Sequence, residues 1–356
     1  MSVSFGTRYG HECVCSNSGR IVVLGGCAGT LCYRTSVLIS DDRGISWKKS
    51  SNLDKNASVV GATWCAERNT CIVIAVAVQR AESDLDSGSE EWTDATSESS
   101  SEEGADAASE SSSGEGADAA SESGDGRTNI LVYESTDENC SEWKLICDNA
   151  CAPSHSLIGF AARRGGIEAF LVCSSGNVWA SVDGCRKWSL VGESVLPCHY
   201  GAGYVACTSG DILMLGGMNW KREEVCVSYI SADGGRTWDA ERCPWTPRRR
   251  ATCVETAGGK VILMSGKSSA ENPDDDVILT DAWASSDSGR TWVCLSKYMS
   301  FGVMYNIGFA AVLHGRAILI VGGHSYGDVF EFEEDVWETD GDKSSQRALA
   351  SASAVS

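Results

Sequence analysis

Six short apolar runs recur along the chain, at 21–26, 72–77, 169–174, 212–217, 261–266 and 318–323. Runs of this length, rich in β-branched residues and closed by Gly or another small residue, predict buried strands rather than helices. About eighteen residues before the end of each run lie Arg8, Val59, Ile158, His199, Arg248 and Tyr305. Three residues further on come His11, Ala62, Ala161, Ala202, Ala251 and Gly308, nearly all of them small. A first strand carrying a small residue is therefore expected ahead of every apolar strand.

Polar signals follow the runs at regular places. The segments 40–47 (SDDRGISW), 231–238 (SADGGRTW) and 285–292 (SSDSGRTW) each place a Ser, an Asp two on, a Gly four on and a Trp seven on. These are Ser40, Asp42, Gly44 and Trp47; Ser231, Asp233, Gly235 and Trp238; and Ser285, Asp287, Gly289 and Trp292. A fourth copy keeps Ser181, Asp183 and Trp188 but shifts the Gly by one. A looser fifth runs from Ser135 to Trp143, one residue longer, with Asn139 near the Gly slot. Ser and Asp side chains bond backbone groups a few residues on, and Gly accepts the positive φ that larger residues resist. Each segment reads as a tight hairpin whose Trp opens the next strand.

Strand, apolar strand, strand, turn and Trp-led strand make a four-stranded antiparallel unit. Repeated units of this kind describe β-propeller blades, and a spacing of roughly 40–57 residues suits them once one acidic insert is removed. The expectation is an all-β chain: a single six-bladed β-propeller of four-stranded antiparallel blades spanning 1–356. Small residues on the innermost strands fit, because blades converge on the axis.

The Ser-x-Asp-x-Gly-x-Thr-Trp turn resembles the Asp-box, or BNR repeat, of sialidase-like propellers. The Gly-Gly run ends, with Thr246-Pro-Arg248 and Thr7-Arg8-x-x-His11 before them, resemble kelch repeats. The resemblance covers nearly the whole chain and implies the fold. It leaves function open, since such rings host enzymes, receptors and scaffolds.

Composition narrows the function. The formal net charge is −20, but 81–126 holds fifteen Asp or Glu and no Lys or Arg, leaving −5 for the rest. Within it the octapeptide GADAASES occurs at 104–111 and again at 116–123. Low hydropathy and like charge predict that 81–127 is a disordered insert between the second and third strands of blade two. No basic stripe favours nucleic acid, and no apolar stretch reaches membrane-helix length. The beginning of the sequence carries no secretory pattern, so the expectation is a cytoplasmic protein, or a secreted one if the N-terminus is truncated. Seventeen cysteines without Cys-x-x-Cys pairing point to reduced, buried thiols rather than a metal site. No cofactor and no metal is expected, and the chain is read as a monomer.

Chemistry is sparse. The resemblance to sialidases implies an arginine cluster, a Tyr–Glu pair and an Asp acid/base. Arg8 and Arg248 could supply two cluster members, but no third equivalent and no Tyr–Glu pairing can be derived. No catalytic residue is assigned. What remains is a binding surface on the face that receives the fourth-to-first and second-to-third strand loops. Arg8, His199, Trp220, Arg248, Arg249 and Tyr305 are its candidates, placed at the axial mouth and suited to a protein partner or an acidic peptide. A sialidase-like hydrolase and a secreted glycan-binding lectin are the alternatives. Ser83, Ser87, Ser99, Ser100 and Ser112 each precede an acidic residue by three positions and are candidate phosphosites.

Overall fold

The computed structural model describes residues 9–27, 35–42, 44, 46–54, 57–77, 129–151, 157–163, 165–256, 258–269 and 277–298, and the strands within 310–333. The described residues are strands, turns and connections without a helix. Blade one is β1 (Tyr9–Cys15), β2 (Ile21–Cys27), β3 (Ser36–Ser40) and β4 (Lys48–Asn52). Blade two is β5 (Ala57–Cys65), β6 (Thr70–Ala77), β7 (Ile130–Ser135) and β8 (Trp143–Cys147). Blade three is β9 (Leu157–Arg163), β10 (Glu168–Cys173), β11 (Val178–Ser181) and β12 (Ser189–Gly192). Blade four is β13 (Gly203–Ala206), β14 (Ile212–Leu215), β15 (Val227–Ser231) and β16 (Asp239–Arg242). Blade five holds β17 (Thr252–Glu255) and β18 (Val261–Met264), a small hairpin of β19 (Lys267–Ser268) and β20 (Val277–Ile278), then β21 (Ala282–Ser285) and β22 (Val293–Ser296).

All five are antiparallel and ordered as in sequence, with β18 pairing β21 past the small hairpin. The last sheet is three-stranded: β23 (Ala310–Leu313), β24 (Ala317–Val321) and β25 (Val329–Glu333). Six four-stranded blades were expected; the described residues form five, with β23–β25 as a sixth, three-stranded sheet. β23 nevertheless lies against both β17 and β1. The acidic insert and its serines lie outside the described residues, as do Arg8 and Tyr305.

The six apolar runs form the second strands, and β6, β10, β14 and β18 are buried along most of their length. Neighbouring blades bury them face to face. Val22, Leu24, Ala62, Trp64 and Val73 pack between blades one and two, and Ile72, Ile74, Ala169 and Leu171 between two and three.

The turns obey one hydrogen-bond scheme. Ser231 Oγ donates to Asp233 Oδ1 at 2.9 Å and accepts from Gly235 N at 2.8 Å. Asp233 then accepts from Thr237 N at 2.9 Å and Thr237 Oγ1 at 2.7 Å, while Trp238 Nε1 donates to Gly235 O at 3.2 Å. Ser40 and Ser285 repeat the Ser-to-Asp and Gly-to-Ser bonds at 2.8 Å. In the fourth copy Cys185 takes the Gly slot: its N donates to Ser181 Oγ at 3.0 Å, and its φ is 67°. In the fifth, Asp137 bonds Ser141 N and Oγ in the same way, but Ser135 Oγ instead accepts from Cys71 N on β6. Burial pushes Asp233 up, yet the bonds from Thr237, Ser231 and Arg236 outweigh it and hold its pKa at about 2.

A second regularity sets the ring's inner spacing. Gly159 on β9 faces the ring of Tyr204 on β13, Gly61 on β5 faces Phe160 on β9, and Gly203 on β13 faces Cys253 on β17. Each of these three glycines receives a side chain of the following blade, and a Cβ there would sit well inside van der Waals contact.

Two outcomes are expected. Gly159→Ala should cost about 1–3 kcal/mol, the range for overpacking a filled core, read by chemical denaturation. Asp233→Ala should cost about 1–2 kcal/mol, as loss of a hydrogen-bonded turn anchor does, and should leave the far-UV spectrum unchanged.

Candidate functional site

The loops between second and third strands and between fourth and first strands share one face. In blade four, 218–224 folds back on itself around Asn219. Its Oδ1 accepts from Lys221 N at 2.9 Å and Glu223 N at 3.0 Å, and Arg222 adopts φ 62°. Isolated bridges join Met218 to Tyr200 and Glu224. This turn lifts Trp220 into solvent, 78% exposed, with Lys221 Nζ 5.2 Å from its ring centre. Glu224 ties the loop to blade five, accepting from Arg249 Nη1 and from Ser269 Oγ at 2.6 Å.

The other candidates on this face are buried beneath the loops. Arg248 is fully enclosed. Its Nη1 and Nη2 reach the two Asp281 oxygens at 2.7 and 2.8 Å, and further bonds go to Thr246 O and Ser265 O, both at 3.0 Å. Its guanidinium also lies 5.7 Å from the Trp245 ring centre. Burial pushes the Asp281 carboxyl up, but Arg248 and the Trp283 indole N–H outweigh it and hold it below the usual range. His199 packs edge-on to Tyr229 at 5.5 Å, and its Nδ1 lies 3.2 Å from Gly216 O. Burial lowers its pKa despite that bond. Trp220 and Arg249 therefore belong to the loops, whereas Arg248 and His199 are interior supports; they do not converge on one open pocket.

A different concavity lies on the axis. A cavity of about 510 Å³ runs between the inner strands β1, β5, β9, β13 and β17. Arg163 lines it with its Nε on Glu168 Oε2 at 2.7 Å, and Glu255 lines it while accepting from Thr208 N at 2.8 Å. Glu12 also lines it and makes no hydrogen bond or ion pair among the described residues. The sequence reading passed over Glu12, because nothing in its spacing marks it; only the register across the ring does. Among the described residues no group of His, Cys, Asp and Glu is arranged to hold a metal ion. No helix of the described residues is long and apolar enough to cross a membrane.

The chain shares its fold with the solved protein titled "Structure of YjhT". The TM-score is 0.56 at 10% identity, covering 91% of this chain and 93% of that one. The likeness is one of fold, a β-propeller. No protein-family model matches the sequence, and no curated protein does.

The Arg248–Asp281 pair is open to direct test. Removing one partner of a buried pair strands the other's charge, so Asp281→Ala should cost about 3–5 kcal/mol. Thermal or urea unfolding checks it, with the exposed pair Arg290–Asp211 as a comparison expected to contribute under about 1 kcal/mol.

Proposed function

We propose that the chain is a kelch/Asp-box propeller whose ring of inner strands closes with six members. It serves as a non-catalytic interaction module in the cytoplasm and binds a protein partner on the loop-bearing face. One observation carries this reading. The three exposed aromatics among the described residues, Tyr200, Trp220 and Tyr298, all belong to loops of that face. Exposed Trp and Tyr anchor protein interfaces disproportionately often. Val277, half-exposed on the β19–β20 hairpin, adds apolar area on the same side.

Two further observations support the reading. Arg248 is already paired to Asp281, which weighs against its serving as a carboxylate-binding arginine in a sialidase-like site. The fifteen cysteines whose side chains are described are free, which suits a reducing compartment.

Affinity capture from cognate extract tests the proposal. Trp220→Ala combined with Tyr298→Ala should lower recovery of the partner by about tenfold or more, the loss of roughly 1.4 kcal/mol per decade of affinity. Val182→Ala, on the opposite face, should recover it as the unaltered protein does. Equal recovery by all three, or turnover of a fluorogenic sialoside, would reject the reading.

A further inference from the structure

The axial cavity is independent of the loop face and shows a substitution in the ring's packing rule. Gly159, Gly203 and Glu12 hold the same register position, opposite Val172, Leu215 and Leu24 of their second strands. At Gly159 and Gly203 the following blade inserts Tyr204 and Cys253. Blade one instead carries Glu12. Its cross-strand partner Leu24 packs with Ala62 and Trp64 between blades one and two, and cross-strand partners share a face. A carboxyl thus stands on the side where blades three and four leave space for a neighbour's side chain, at a position that blade five fills with Thr252.

We propose that this cavity binds a small organic ammonium, with Glu12 as its counter-charge and Trp64, Phe160 and Tyr204 as its aromatic wall. All four residues line the cavity. Arg163 is paired to Glu168, and Glu255 accepts three hydrogen bonds from Thr208, so among the described lining residues Glu12 is the charged group with neither an ion pair nor a hydrogen bond. Aromatic faces attract organic cations and give nothing comparable to anions. About 510 Å³ is ample for such a molecule.

Glu12 is half-buried in the cavity wall, and burial raises its pKa from 4.5 to about 8. Among the described residues few groups compete for it. On its own strand Cys13 and Cys15 are thiols pushed up by burial, and His11 is buried. Of the strands against β1, β2 contributes only Cys27, β5 only Cys65, and β23 nothing titratable. An ammonium would favour the charged form, so binding near neutrality releases a proton and strengthens as pH rises towards 8.

The probe is choline, titrated calorimetrically into the full chain under reductant at pH 6.5 and 8.5, with 3,3-dimethylbutan-1-ol as its uncharged isostere. Choline is expected to bind about tenfold more tightly at pH 8.5, and the alcohol to bind far more weakly at both. Glu12→Gln should lose choline binding yet melt no lower than the unaltered protein at pH 8.5. A folded-state pKa raised to about 8 gives stability below 4.5 that is lost as pH rises through 8, and Gln removes that loss. Equal binding of the two probes, no binding of choline, a flat pH dependence, or unaltered binding by Glu12→Gln would each overturn the site. Such failure would leave the loop-face reading standing, because the two rest on different residues.

Discussion

Crowding at the axis is the constraint on which the rest depends. Blades radiate from a common centre, so their inner strands approach one another more closely than their outer ones. The chain relieves this by leaving a Cβ out of one strand and letting the following blade supply the atoms. Tyr204 fills the place at Gly159, Phe160 at Gly61, and Cys253 at Gly203. The second strands then bury their aliphatic faces on both sides, and close packing there makes neighbouring blades one continuous core. Stability in such an array comes largely from nearest-neighbour interfaces.

The two ends of the ring use their polar groups differently. On the face of the Ser/Asp turns, side chains clip blade to blade. Arg20 reaches Asn139 at 2.6 Å, Arg186 reaches Glu134 at 2.7 Å, and Glu255 caps Thr208. Arg290 reaches back to Asp211 at 3.1 Å. These partners satisfy each other. On the loop face the strong polar contacts lie one layer down, in Arg248–Asp281 and Arg249–Glu224. They stiffen the base from which Trp220 and Tyr298 project. For the recognition surface proposed above, such a rigid floor reduces the ordering cost of binding.

How much of this was legible depends on the range of the interaction involved. The turns and apolar strands are local, so their periods appear directly in sequence. Even Cys185 fits that rule in hindsight, since the Ser181 and Asp183 bonds fix the geometry and the residue at the Gly slot must follow. The insertion-by-neighbour rule is partly written in the sequence, as Gly159-Phe160 and Gly203-Tyr204, but which blade fills which space depends on register between strands some forty residues apart. Arg248 illustrates the limit. Its repeat position suggested an open mouth, but its partner Asp281 lies on another loop and no periodicity connects them. A basic residue at the start of an inner strand is an equally good buried support or ligand group until its carboxylate is located.

The cysteine content follows from the same geometry. Fifteen cysteines have described side chains, and nine of them are buried, most in the clusters between blades. Cys253 shows the use most directly, since its sulfur is what Gly203 makes room for. Burial pushes the thiols of Cys207, Cys243 and Cys253 up to about 12. The thiolate is the nucleophile, so sulfur held in this protonated state is kept from oxidation and exchange even where it is abundant. Cysteine here serves as a small, polarizable apolar residue. Its number reflects the fit required at the interfaces, and the same narrowness that calls for it makes a carboxyl at position 12 conspicuous.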